Sequence, residues 1–191
     1  MRSFYIGARF QCSESDSDMD SSALISAAAD VLHQGLGLLD NIDNDVYLRK
    51  EEGPWGSSVG AHYRHVLDHF LSLIEGLWDG EINYDHRSRN REIETSLEAA
   101  RTATHDVIDA IAAIPGQVSS QECTVVYSVG YGEDDAQAVR SVIARELMFC
   151  VGHAIHHYAI MKLLCSARSI ILPCEFGIAP STLKYQAQAV R

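Results

Sequence analysis

The sequence has no CxxC pair, no long uncharged apolar run, no excess of basic charge and no Glu-x-x-His motif. Each absence removes a class. Its five cysteines, Cys12, Cys123, Cys150, Cys165 and Cys174, are odd in number and scattered. They suggest no disulfide framework, which fits a reducing cytoplasm. The best apolar run is interrupted by Arg145, Glu146 and histidines, so it falls short of the ~20 apolar residues of a membrane span. Arg2 and Arg9 near the start are followed by no apolar core, and no secretory signal is expected. Asp and Glu number 26 against 15 Lys and Arg, a net charge of −11. That balance repels phosphate backbones and anionic bilayers, so neither nucleic acid nor membrane is expected as a partner. Without Glu-x-x-His on two helices, a di-iron carboxylate bundle is excluded.

What is present is an ordinary globular composition, 47% hydrophobic and 21% charged over 191 residues. It suffices for one domain with a core. Histidine is in mild excess: nine, eight of them after Val59.

Residues 1–20 end in an acidic serine-rich run that cannot bury apolar surface, and read as a flexible tail. A helix is predicted from Ser21 or Ser22 to about Leu39 or Ile42, with Leu24, Ala28, Val31, Leu32, Leu36 and Leu39 as its stripe. His33 on it has no second ligand nearby and reads as a surface residue. Asn41 to Trp55 reads as a loop. Ser57 or Ser58 then caps a helix from Val59 to about Trp78. Ile82 to Asn90 is polar and irregular, and Tyr84, Asp85, Arg87 and Arg89 there either line a mouth or simply cap and pair within a loop. A third helix is predicted from about Ile93 to Ile114, ended by Pro115-Gly116. His105 on it has no case for function. Cys123–Val129 is the clear β-like run, read as one arm of a hairpin returning through Ala136–Arg140. The last long helix spans roughly Val142 to Cys165. Beyond it, residues 168–191 read as an extension packed over the bundle, with the last ten frayed.

Four amphipathic helices without a parallel-sheet pattern imply an all-α fold, a four-helix bundle over residues 21–167 with a short β-hairpin before the last helix. Histidines mark two of its helices. At about 100° per residue His153 and His157 share a face, and His156 lies roughly 60° aside. Cys150 and Glu146 project nearly the same way one and two turns earlier. His62, His65 and His69 fall within an arc of roughly 60° on the second helix, with His65 furthest from the apolar stripe. Imidazoles at i, i+4 can address one cation without bending the backbone. A three-histidine site joining His62, His65 or His69 to His153 and His157 is therefore geometrically natural. Such a donor set leaves positions open for water or substrate and suits zinc, nickel or iron. Glu146 is the candidate general base, or a partner orienting a ligand histidine, with a structural charge as its alternative. Cys150 is either a fourth ligand or a small buried hydrophobe.

Trp55 and Ser58-Val59-Gly60 before a histidine helix, with His153-Ala154-Ile155-His156-His157 on the last helix, resemble the DinB/YfiT-like superfamily of metal-binding four-helix bundles. The resemblance covers about residues 21–167. It implies a first ligand seven positions after the Ser helix start, which is His65, and His153 and His157 as the others. It also implies a divalent metal, and a low-molecular-weight thiol in those members that are S-transferases or isomerases. Other members are metal-dependent hydrolases, and homodimers acting on small-molecule substrates are common. A three-histidine cation would lower the pKa of a thiol or water and so supply a nucleophile at neutral pH. A non-catalytic metal-binding bundle, serving as sensor, store or scaffold, is the alternative.

Overall fold

The computed structural model describes residues 21–50, 56–132 and 135–189. The expected tail and Trp55 lie outside them. Four long helices form the bundle: α1 (Ser21–Asp40), α3 (Val59–Asp79), α5 (Leu97–Ala112) and α6 (Ile143–Ser166). α1 packs on α5 and α6, and so does α3, which leaves α1 and α3 on the diagonal. Their apolar stripes meet in one core, centred on Leu32, Leu39, Tyr63, Leu67, Phe70, Val107, Ala154 and Tyr158, all fully buried.

The local chemistry explains the helix ends. Ser58 is extended and its Oγ accepts from Ala61 N, satisfying a free donor of α3, while Gly80 closes that helix at φ 71°. Three features depart from the sequence expectation. The loop 41–55 contains a short helix, α2 (Asn44–Leu48), capped by Asp43. The expected third helix is two: α4 (Arg91–Thr95) ends at Ser96, whose extended backbone and Oγ cap α5. The irregular segment after α3 begins with β1 (Glu81–Asn83), which pairs in parallel with β2 (Glu122–Ser128). The expected hairpin of β2 with β3 (Ala136–Val142) is present, so the sheet has three strands in the order β1-β2-β3.

The C-terminal segment packs on the bundle. Phe176 stacks on Tyr158 with ring centroids 4.9 Å apart. Lys162 Nζ donates to the carbonyls of Pro173, Cys174 and Phe176. Gly177 (φ 71°) lies against the backbone of Ala159, where a Cβ would collide. Of the last ten residues, expected to be frayed, those described belong to α7 (Pro180–Ala189), which buries none of its residues.

By length and composition alone α1 and α6 are long and apolar enough to cross a membrane. Both are nevertheless core helices of the bundle. α6 also carries Glu146 and three histidines, groups that hydrocarbon penalises.

At Gly60 a Cβ would collide with the Glu94 carbonyl and the Tyr47 ring, so α3 and α4 approach through this residue. Gly60→Ala should therefore destabilise the fold by about 1–3 kcal/mol, the usual cost of overpacking. Urea denaturation checks this, and an unchanged midpoint would show that the approach relaxes freely.

Candidate metal centre

α3 and α6 pack side by side, and each turns a histidine face towards the other. His65 Nε2 and His153 Nε2 are 3.0 Å apart. The rings of His65 and His157 lie 4.6 Å apart between centroids, as do those of His153 and His157. One ligand atom from each of His65, His153 and His157 lies within 4.8 Å of the others. In a tetrahedral site with bonds of about 2.0–2.1 Å, neighbouring nitrogens stand roughly 3.3 Å apart. The donor set thus fits a small divalent cation with little movement. Among the described residues no other trio of His, Cys, Asp or Glu comes so close.

The remaining histidines surround this trio. His62 Nδ1 is 3.0 Å from His157 Nδ1, so His62 holds one side of that ring and leaves Nε2 available. His69 is buried, and its Nδ1 donates to the His65 carbonyl at 2.8 Å. Its ring lies 4.0 Å from that of His153 and stacks on Tyr84 at 5.4 Å. His156 lies edge-on to His157, with ring centroids 5.3 Å apart. His33 is exposed and bonds its own helix through the Ala29 carbonyl.

Electrostatics favour neutral rings. Burial, reinforced by the neighbouring imidazoles, holds the pKa of His153 down to about 4 and that of His157 to about 3. Burial and the same neighbours push His65 further down, and burial lowers His69 to about 4 and also lowers His62. Neutral imidazoles offer lone pairs, the form a cation needs.

Glu146 is fully buried on α6, but its contacts lie away from the trio. Oε2 accepts from Tyr84 Oη at 3.0 Å, and Oε1 accepts from Ser141 Oγ and from Arg145 at 2.8 Å. Its ion-pair partner is Arg145, the adjacent residue on α6. Cys150 donates to the His69 carbonyl, and burial pushes its thiol up to about 12. Its sulfur meets the His69 carbonyl and Tyr84 Oη, and it is not among the three residues whose ligand atoms converge. Sequence reasoning gave Tyr84 only a place at a possible mouth. Its actual part, linking the His69 ring to Glu146, depends on β1, which was not foreseen. A cavity of about 120 Å³ between α1 and the C-terminal segment, lined by Gln34, Gly37, Leu172 and Phe176, does not include the histidines.

A helical bundle with an interhelical histidine cluster defines this protein's class. The structure is similar to a DinB-like protein of Bacillus subtilis, with a TM-score of 0.61 over 81% of this chain and 98% of that one, at 16% identity. The chain therefore has the DinB-like fold. In sequence it is 34% identical over 106 residues to FK506-binding protein 5 of Rhizopus delemar, a match covering 54% of this chain and 27% of that protein. No protein-family model matches the chain. Fold and cluster together are compatible with a metal-binding protein.

Proposed function

We propose that this chain binds a divalent cation through His65, His153 and His157 and acts on a small molecule by S-transfer or hydrolysis. The observation that carries the reading is the convergence of three imidazole ligand atoms within 4.8 Å across α3 and α6. A bound cation would supply Lewis acidity to a thiol or water. The chain's own residues supply the rest. His62 orients His157, and the His69–Tyr84–Glu146 chain buttresses the other side of the cluster.

A thiol or a water ionised on the cation would itself be the nucleophile, so neither reaction needs a separate base. The Glu146 carboxylate is already engaged by Tyr84, Ser141 and Arg145, which assigns it to holding the site rather than to proton transfer. The same engagement of Glu146 supports the second reading, a bundle that holds a metal without catalysis. FK506 binding, in the name of the Rhizopus protein, belongs to a protein of which this match spans only a quarter, and is not carried over.

The test loads the protein with zinc, nickel or iron and offers a small thiol with an alkylating electrophile, and separately small esters without thiol. Metal-dependent consumption of thiol, absent in His153→Ala, is the expected result. A fully loaded protein inert to both panels would leave the non-catalytic reading.

A further inference from the structure

Among the described residues, Arg87 is a cation without a partner. It is half-buried, its Nε is shielded from solvent and accepted by no atom, and no carboxylate lies within 4.0 Å of it. Arg89, Arg91 and Arg140, which close no ion pair either, are exposed, whereas Arg87 is half-buried. A shielded guanidinium N–H without an acceptor is costly unless a ligand completes it.

Its position is fixed by its loop. Asn83 Oδ1 accepts from the backbone of Asp85 and His86. Asp85 is tied to Ser128 by its carboxylate, and Tyr84 is tied to Glu146 while its ring lies on His69. Arg87 therefore stands three residues from a side chain in contact with the histidine cluster, on a segment clamped to β2 and α6. That segment meets the cluster through Tyr84, whose ring stacks on His69. Asp68, one position before His69 on α3, is also buried, and its ion pair with Arg64 is long, at 3.8 Å. Asp68 and Arg87 attract each other without closing an ion pair, so the guanidinium fork remains free for a planar oxyanion.

We propose that Arg87 is the receptor for an oxyanion group, carboxylate or phosphate, on the small molecule that binds at the histidine cluster. This rests on the metal-site reading for the second half of the ligand but not for the contact at Arg87. In Proposed function the substrate class is open; here it is an anion whose charge lies a few atoms from the group that meets the cation. The −11 charge of the chain would otherwise repel such a molecule.

The probes are mercaptoacetate, 2-mercaptoethyl phosphate and the neutral thiol 2-mercaptoethanol, titrated into cobalt-loaded protein and followed by the cobalt absorption bands. Wild type should bind one or both anionic thiols about tenfold or more tighter than the neutral one, the scale of a charge-assisted hydrogen bond. Arg87→Gln should abolish that preference, and the more strongly favoured probe identifies the oxyanion. In parallel, the Arg87 Nε–H resonance, assigned by its loss in Arg87→Gln, is followed as mercaptoacetate or inorganic phosphate is added without metal. Movement of that resonance without cobalt uptake would keep the Arg87 assignment while failing the metal reading. Equal affinity for charged and neutral thiols, a preference that survives Arg87→Gln, or a resonance that stays still throughout would overturn the proposal.

Discussion

Protein carrying His153→Ala should purify with almost no divalent metal, where wild type prepared without a histidine tag carries about one equivalent. His153 gives one of three imidazoles, and its Nε2 stands 3.0 Å from that of His65. Its removal leaves two donors and a gap that no described carboxylate or thiol fills. His65→Ala should behave alike. His62→Ala is the informative contrast, because His62 touches His157 rather than completing the trio. Partners of that kind change metal affinity by roughly 10–100-fold, so His62→Ala should weaken retention without abolishing it. Retention in His65→Ala would instead move the ligand on α3 to His62 or His69.

The pH dependence follows from the same burial. His153 and His157 titrate near 4 and 3 in the folded chain, against about 6.5 when unfolded. Between those values the unfolded chain binds more protons, so stability of the metal-free protein rises with pH through this window. It is fully present above about pH 6.5 and is lost as pH falls towards 4. Loaded protein should resist that loss, since a cation binds only the neutral rings. Thermal melts at pH 7 and pH 5, with and without metal, check both directions.

Glu146→Ala should cost about 2–4 kcal/mol of stability while leaving metal content intact. Two hydroxyl donors, from Tyr84 and Ser141, end on this carboxylate, and each buried donor left unpaired costs about 1–3 kcal/mol. Arg145 adds little, because its side chain is 63% exposed. For a chain of this size the loss is a drop of roughly 5–15 °C in Tm. Glu146→Gln keeps an acceptor for one donor and should fall between. The opposite pattern, normal stability with lost turnover in the loaded enzyme, would make Glu146 the general base.

Much of this was legible in the residues. The long stripes of Leu, Val and Ala specified four helices because burial at a period of 3.6 leaves few other folds open. The hairpin arms were visible because Cys123–Val129 is rich in β-branched and aromatic residues. β1 was not, since three residues are too few to show a period of two and their partner strand lies some forty positions on. Ser96 looked like one polar position on a continuous helix, and only its extended backbone shows the break. The helical wheel placed His65 away from the apolar stripe, and the structure agrees: His69 is buried, His65 only partly so. The trio nonetheless forms through His65, because it sits at the edge where α3 meets α6 rather than in the deepest layer. A wheel averages over one helix and cannot show which flank its neighbour takes. Glu146 was found on the right face but not with its partners, because Tyr84 and Ser141 reach it from the sheet.

X-ray absorption at the metal edge of zinc-loaded wild-type protein tests the central claim most directly. Three imidazole nitrogens at about 2.0–2.1 Å, with the remaining scattering from oxygen and one imidazole fewer in His157→Ala, is the predicted result. A sulfur neighbour near 2.3 Å, or a spectrum unchanged in His157→Ala, would contradict it.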